Sequence, residues 1–267
     1  MNTATLELRL KAFHLPSFLV HYAPLAEQAV RAGWDPVHYL DGLAAIEAEE
    51  RQDRRIARLL RAARLPREKT LATLDTSRLP GAVRTQVNRL KSGEFLEGAT
   101  NLCIFGNPGT GKTHIMAALG QELVRAGHAV LFTPVAQLVE RLLDAKRDLR
   151  LARELQRLDR IDCLLLDDIG YVQHDRAEME VLFALLAERY ERKSVMITSN
   201  LVFSKWDQIF KDPMTTAAAI DRVVHHSVIL ELTVPSYRAE AAKRRTRAKR
   251  HGAETSACNE PRGPNGG

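Results

Sequence analysis

An octapeptide at residues 106–113, GNPGTGKT, decides which type of fold this sequence can form. It matches the phosphate-binding loop pattern, in which two fixed glycines are followed by Lys and then Ser or Thr. Glycines let backbone N–H groups turn toward phosphate oxygens, and a helix starting at the loop adds its positive N-terminal dipole. An apolar run at 102–105 precedes the loop and a helical pattern at 114–125 follows it. The pattern therefore predicts a chain that binds a nucleoside triphosphate.

We expect the phosphates of ATP to lie against this loop and the first turn of the helix after it. Lys112 supplies a positive charge for the β- and γ-phosphates, and the Thr113 hydroxyl is a suitable ligand for Mg²⁺. The predicted nucleotide contacts are Gly106, Asn107, Pro108, Gly109, Thr110, Gly111, Lys112, Thr113 and His114.

From residue 101 onward, strand-like and helix-like patterns alternate. The predicted strands are 101–105, 129–133, 161–167, 194–198 and 227–232, and the predicted helices are 112–126, 135–158 (with a break), 175–192, 204–210 and 215–225. Such alternation is typical of parallel strands joined by helical crossovers, with ligands bound at the carboxyl ends of the strands. The predicted fold class is α/β, a parallel five-stranded sheet flanked by helices.

A smaller α-helical domain is expected in front of the sheet. Apolar residues recur there at spacings of three and four, which predicts helices near 5–13, 23–32 and 37–64. We predict an all-α domain at 1–72 that binds DNA or a partner, a connector at 73–98 broken by Pro80-Gly81, the nucleotide-binding domain at 99–240, and a basic, disordered tail at 241–267.

A stripe of arginines marks the last helix of that first domain. Its members, spaced by three and four so that they share one helix face, are Arg51, Arg54, Arg55, Arg58 and Arg61. Such a row can follow the phosphates of DNA, or it can be a solvated face paired with neighbouring acids. The acids, at 47–53, accompany only the N-terminal end of the stripe, which favours DNA.

The net positive charge is concentrated near the C-terminus. Six of the eight residues at 243–250 are basic and none is acidic, and these six charges equal the net excess of +6. Such a run is typical of a contact with DNA, or of a solvated tail. Lys243, Arg244 and Arg245 are therefore further candidate DNA contacts.

Composition favours a cytoplasmic chain without a membrane segment. The sequence has no run of 18 apolar residues, and its first residues lack the apolar core of a signal peptide. Its three cysteines have neither disulfide-framework nor metal-site spacing.

Polar side chains follow two predicted strands at the edge where the phosphate loop lies. Asp167 and Asp168 end one apolar strand, where the first can hold Mg²⁺ and the second can polarise the water that attacks the γ-phosphate. Asn200 follows the next strand and either orients that water or forms a simple turn. Farther on, Arg222 either pairs with Asp221 or reaches a nucleotide held by a neighbouring subunit, as an arginine finger does.

Together these motifs resemble one family. GNPGTGKT at 106–113, LLLDDIGY at 164–171, ITSNLVFSKWDQIF at 197–210, AAAIDRVVHHSVIL at 217–230 and SYR at 236–238 are similar to the IstB-like AAA+ ATPases, the transposition helpers of insertion sequences, and more distantly to DnaC-type helicase loaders. The resemblance covers roughly residues 5–240. It implies a homo-oligomer that assembles with ATP on double-stranded DNA, remodels that DNA and recruits or stimulates a transposase, with hydrolysis driving release.

The same resemblance assigns roles by position. Lys112 and Thr113 match Walker A, and Asp167 and Asp168 match the metal-binding and catalytic acids of Walker B. The remaining matches are Asn200 to sensor 1, Arg222 to the arginine finger and Arg238 to sensor 2. Many AAA+ proteins have Glu where Asp168 stands, so we expect slow hydrolysis. Val234-Pro235 also replaces the usual Gly-Glu before the SYR motif.

Three other functions are weighed against this one. A replicative helicase loader would have the same ATPase residues, but it would prefer single-stranded DNA and bind a helicase. A small-molecule P-loop kinase leaves Asn200, Arg222 and the helical domain without a role. A DNA scaffold that binds ATP without hydrolysing it is consistent with the shorter acid at Asp168, and DNA-stimulated turnover would exclude it.

Overall fold

The computed structural model describes residues 3–169, 175–201, 206 and 221–237. The chain divides into two compact units, Met1–Arg61 and Ala62–Gly267. This division falls at 61/62, whereas the sequence placed the end of the first domain at residue 72.

The first unit is all-α. It consists of α1 (Thr3–Ala12), α2 (Pro16–Ala32) and α3 (Pro36–Ala62). Pro16 suits the first position of a helix, and Gly33 ends α2 with a φ of 68°, a conformation that glycine adopts without strain. The buried apolar side chains described in this unit are few, namely Leu10, Ala29 and Leu43.

The second unit is built on five parallel strands, β1 (Asn101–Gly106), β2 (Val130–Pro134), β3 (Cys163–Asp167), β4 (Ser194–Ser199) and β5 (Ser227–Leu232). Their order in the sheet is β2-β3-β4-β1-β5. All four pairings are parallel, as the alternating sequence pattern predicted. The interior positions of the central strands β1, β3 and β4 are buried and mostly apolar, because helices cover the sheet.

The helices of the second unit are α4 (Gly81–Leu90), α5 (Lys112–Arg125), α6 (Val135–Arg147), α7 (Leu151–Asp159) and α8 (Arg176–Arg189). The break predicted within 135–158 is confirmed, since α6 and α7 are separate. A capping box formed by Asp175 and Glu178 begins α8, and two 3₁₀ turns, Thr76–Arg78 and Glu94–Leu96, flank α4.

Residues 73–98 are more ordered than the predicted connector. Pro80-Gly81 was interpreted as a break, but Pro80 precedes the first residue of α4. The core-facing side chains of this stretch are Leu74, Leu79, Val83, Val87 and Leu90. The chain before residue 73 also contacts the sheet, because the Phe132 N–H donates to the Ala63 carbonyl at 2.8 Å.

Several predicted features lie partly or wholly outside the described residues. The helix predicted at 204–210 is described only at Trp206, and that at 215–225 only from residue 221, where residues 221–224 are helical. Arg238, Lys243, Arg244, Arg245 and the rest of the tail are outside as well. Within the described ranges, we find no helix that is both long and apolar enough to span a membrane.

Candidate nucleotide-binding site

The loop between β1 and α5 has the geometry that its glycines predicted. Gly109 and Gly111 have φ values of 81° and 98°, and Gly106 has a φ of 155°. A Cβ atom at Gly106 would lie 2.7 Å from the carbonyl oxygen of Leu232 on β5, which is closer than atoms can approach. Only glycine therefore fits at Gly106, and the loop lies directly against the neighbouring strand.

Lys112 points back into this loop. Its ammonium donates to the carbonyl oxygens of Gly106 at 2.7 Å and Asn107 at 3.0 Å, and to the Asn200 amide oxygen at 2.6 Å. The side chain is buried, with 7% of the residue exposed. A buried ammonium at this position is a strong electrostatic attractor for phosphate.

Asn200 connects Lys112 to Asp168, the residue directly after β3. Its amide nitrogen donates to Asp168 Oδ1 at 3.1 Å while its oxygen accepts from Lys112. Of the two interpretations left open by the sequence, this placement favours a role in the site over a simple turn.

Asp167 and Thr113 form an oxygen-rich pair at the start of α5. The Thr113 hydroxyl donates to Asp167 Oδ1 at 2.9 Å, and the Thr198 hydroxyl donates to the same oxygen at 2.6 Å. Carboxylate and hydroxyl oxygens are the hard ligands that Mg²⁺ prefers, so the residues present fit this ion. Thr198 was not predicted as a site residue. The feature that could have identified it is its position in β4, next to the carboxyl end of β3.

Asp168 has a strained backbone. Its φ is 65°, in the left-handed region that few non-glycine residues adopt. Two hydrogen bonds to β4 hold the turn, from the Asp168 N–H to Thr198 Oγ1 at 2.8 Å and from the Ile169 N–H to the Thr198 carbonyl at 3.0 Å. Strain of this kind tends to occur at functional sites. Here it directs the side chain of Asp168 toward Asn200.

Arg222 is not brought to this site. It lines a small cleft with Asn101, Lys193 and Val195, at the edge where β1 and β4 begin. The phosphate loop lies at the opposite edge, about 17 Å away along the six residues of β1. Arg222 is therefore too far from the loop of its own chain to touch a nucleotide bound there.

Tyr237 contacts the loop, although no sequence motif assigned it a role. Its N–H donates to the Gly109 carbonyl at 2.9 Å, and its hydroxyl donates to the Asp75 carbonyl at 3.2 Å. The guanidinium carbon of Arg78 lies 4.0 Å from the centre of its ring, in the geometry of a cation–π contact. Tyr237 thus joins the phosphate loop to the segment before α4.

His114, predicted as a nucleotide contact, faces this same segment. Its Nε2 lies 3.0 Å from the Thr70 carbonyl oxygen and 3.2 Å from Thr73 Oγ1. The ring therefore holds the 70–73 turn against α5. The spacing of residues along the chain gave no sign of this contact.

The arginine stripe of α3 is partly paired. Arg51 and Arg54 contact Glu47 at 2.9 and 3.2 Å, and Arg54 also contacts Glu50 at 3.1 Å. A groove of about 900 Å³ runs along the stripe, lined by Lys11, Phe13, His14, Leu15, Pro16, Leu19, Arg51, Arg54, Arg55 and Arg58. The structure therefore combines the two interpretations: the N-terminal arginines bind acids of their own helix, and the groove beside them remains basic.

Glu47 is the buried member of this network. Burial raises the pKa of its carboxyl, but hydrogen bonds from Ser17 and Arg51 outweigh that effect and bring the pKa below its ordinary value. Glu47 is therefore ionised at neutral pH. Its carboxylate holds Arg51 and Arg54, the arginines at the N-terminal end of the stripe.

A second basic surface was missed in the sequence. It lies on α6 and α7 as a groove of about 660 Å³, whose basic lining is Arg141, Arg150, Arg153, Arg157 and Arg160. This surface does not stand out in the sequence because acidic residues lie among its arginines. Arg150 pairs with Asp148, and Arg157 pairs with Glu154. Arg153 and Arg160 remain exposed.

The sheet order, the phosphate loop and the two acids at the end of β3 define an AAA+ P-loop ATPase. A family model described as IstB-like ATP binding protein matches residues 8–246, so the chain belongs to that family of insertion-sequence ATP-binding proteins. An insertion-sequence ATP-binding protein of Sinorhizobium fredii is 42% identical over 252 residues, which cover 94% of this chain and 84% of the relative. The ATP-binding protein of insertion sequence IS21 from Pseudomonas aeruginosa is 39% identical, covering 88% of each chain.

Solved structures agree with this fold at lower identity. DnaI is 22% identical with a TM-score of 0.54, covering 64% of this chain and 95% of DnaI. AMPPCP-bound DnaA from Aquifex aeolicus is 18% identical with a TM-score of 0.54, covering 69% of this chain and 56% of DnaA. At these identities the likeness establishes the AAA+ fold.

Proposed function

We propose that this ATPase is a transposition helper that assembles as a homo-oligomer on double-stranded DNA when ATP is bound. The assembly remodels the target DNA and recruits or stimulates the transposase of its insertion sequence, and hydrolysis releases it. The observation that carries the proposal is the position of Arg222, at the edge of the sheet opposite the phosphate loop. An arginine there can reach a nucleotide only if that nucleotide belongs to another subunit.

The nucleotide site supports hydrolysis by this chain's own residues. Lys112 would hold the β- and γ-phosphates, and Thr113 and Asp167 would hold Mg²⁺, which would neutralise phosphate charge. Asp168 accepts the proton of the attacking water, and Asn200 orients that water from its position between Asp168 and Lys112. Arg222 of the next subunit, with Arg238 of the same chain, completes the set by stabilising charge on the γ-phosphate.

DNA binding is supported by the basic groove on α3 and the basic groove on α6 and α7. Arginines bind phosphate without reading base sequence, so we expect little sequence preference and strong salt dependence. Replacing Arg55 and Arg58 together tests the first groove, and replacing Arg153 and Arg160 tests the second. For every phosphate that a variant no longer neutralises, the slope of log affinity against log salt should fall by about one. Unchanged slopes in both variants would contradict the assignment.

The first unit also suits a protein partner. Seven of the nine exposed large apolar side chains in the described ranges belong to it: Leu8, Phe13, Val20, Val30, Val37, Leu40 and Leu60. Exposed apolar side chains are typical of contact sites where they form a contiguous patch. Given the insertion-sequence relatives, we assign this unit as a whole, and no defined patch on it, to contacts with other copies of the chain or with the transposase.

Sedimentation with ATP and Mg²⁺ tests the proposal, using duplex and single-stranded DNA of equal length. We expect large species only with ATP and duplex, and none with Lys112→Ala. Preference for single strands, or assembly only after a helicase is added, would favour the alternative of a helicase loader. The likeness to DnaI does not distinguish the two functions, because at 22% identity it shows the fold alone.

A further inference from the structure

Three potential metal ligands converge at the edge of the sheet opposite the phosphate loop. Glu191, just after α8, and His225 and His226, just before β5, each offer a ligand atom, and these atoms all lie within 4.8 Å of one another. His226 Nε2 lies 3.6 Å from a carboxylate oxygen of Glu191. The side chains of His226 and Glu191 are 51% and 57% exposed, so an ion could enter from solvent.

The two segments that carry these ligands are held in place. Arg189 is buried at the end of α8 and donates to four carbonyl oxygens, those of Leu158, Ile161, Asp162 and Ser194. On the other segment, the Asn101 N–H donates to the His226 carbonyl at 2.7 Å, and the His225 N–H donates to the Asp221 carbonyl at 2.9 Å. Glu191 itself has a φ of 54°, an uncommon conformation at a non-glycine residue. The backbone at all three positions is therefore preorganised.

A neighbouring side chain orients one of the imidazoles. The Tyr190 hydroxyl lies 3.1 Å from His225 Nδ1. When Nδ1–H donates to this oxygen, Nε2 of His225 has a free lone pair. Histidines that bind metals usually have such a second partner on the other ring nitrogen.

We propose that Glu191, His225 and His226 form a binding site for a divalent transition metal ion such as Zn²⁺. Two imidazoles and one carboxylate suit Zn²⁺, Co²⁺ or Ni²⁺ and not Mg²⁺, which prefers oxygen ligands. Because the site is open to solvent, water would complete the coordination of a bound ion. The site is separate from the proposed Mg²⁺ ligands, Thr113 and Asp167, which lie at the other edge of the sheet.

A bound ion would connect the end of α8 to the turn that follows Arg222. His225 lies three residues after Arg222 and is hydrogen-bonded to Asp221. We therefore expect slower backbone hydrogen exchange at 189–193 and 221–226 when the ion is bound. Any effect of the bound ion on ATP turnover would depend on the proposed role of Arg222. Binding of the ion itself does not depend on that role.

Titration of the full-length protein with Co²⁺ and with Zn²⁺ in excess Mg²⁺ tests the site. We expect one ion per chain, visible absorption bands of Co²⁺ bound at low symmetry, and the hydrogen-exchange change described above. Glu191→Gln and His226→Ala should each weaken binding by tenfold or more, and Tyr190→Phe by about tenfold. These side chains are at least partly exposed, so the variants should fold, and thermal unfolding will check that.

Two controls separate this site from incidental binding. His21 contacts Glu50 at 3.0 Å as a single His–Glu pair, so His21→Ala should leave ion binding unchanged. A double variant, His251→Ala with Cys258→Ser, removes potential ligands of the C-terminal tail and should also bind normally. The proposal is overturned if no ion binds, if Glu191→Gln and His226→Ala bind like the parent protein, or if the tail variant alone loses binding. If Arg222→Ala hydrolyses ATP normally, the proposed function fails while these binding results stand.

Discussion

The ammonium nitrogen of Lys112 lies 2.6 Å from the amide oxygen of Asn200, although 88 residues separate the two in sequence. The Asn200 amide nitrogen in turn donates to Asp168. One side chain therefore contacts both the phosphate-binding lysine and the proposed catalytic acid. In the proposed mechanism, an arriving γ-phosphate competes with Asn200 for Lys112 and so changes the position of the group proposed to orient water.

Replacing Asn200 with Ala should separate ATP binding from hydrolysis. Lys112 and the loop remain, so we expect nucleotide affinity within a few-fold of the parent protein. Turnover should fall by about 10²-fold, the usual cost of removing one positioned donor. Fluorescent-nucleotide titration and phosphate release measure the two quantities, and Asn88→Ala, on the exposed face of α4, is the control. Unchanged turnover would remove Asn200 from the mechanism.

Tyr237→Phe should weaken nucleotide binding modestly. The change removes the hydroxyl bond to the Asp75 carbonyl, which is worth about 1 kcal/mol, and leaves the backbone bond to Gly109. Arg78→Ala removes the cation on the ring and should have a similar effect. We expect a Kd for ATP several-fold higher in each variant, measured by titration calorimetry. A larger decrease in affinity from Arg78→Ala than from Lys112→Ala would contradict the assignment of Lys112 as the main phosphate ligand.

Some of this site follows from the sequence, and some does not. The apolar runs before Gly106 and Asp167 predicted β1 and β3 within two residues, and parallel strands bring their carboxyl ends together, so the joint placement of Lys112, Asp167 and Asn200 was predictable. Tyr237 and Asp75 are 162 residues apart, and only the packed structure brings them into contact. The helix α4 was missed because Pro80-Gly81 is equally typical of a turn and of a helix start.

Glu47→Gln should destabilise the first unit and make its free energy of unfolding less dependent on pH in the acid range. The pKa of Glu47 is lowered in the folded chain, so its contribution is complete above the ordinary pKa of about 4.5 and is lost as the pH falls through the folded-state value. At neutral pH we expect a loss of about 1–3 kcal/mol in the free energy of unfolding, because hydrogen bonds to a buried charge are removed. At the acid end the parent and variant should converge.

Urea unfolding at several pH values measures this difference; both proteins carry Trp206→Phe, so that the fluorescence reports on Trp34 in the first unit. Glu49→Gln is a matched control, because Glu49 is exposed on the same helix. Equal stability of the Glu47 and Glu49 variants at neutral pH would show that the network around Glu47 does not stabilise α3.

Mixing two inactive variants tests the central claim, that each nucleotide site is completed by Arg222 of a neighbouring subunit. Asp168→Asn retains Arg222 but lacks the catalytic acid, and Arg222→Ala retains the acid but lacks the arginine. Each alone should bind ATP and hydrolyse it at a small fraction of the parent rate. Mixed on duplex DNA, they should regain turnover, because Arg222 of one variant can reach the intact site of the other. Normal turnover by Arg222→Ala alone, or a mixture no more active than its separate components, would contradict the account.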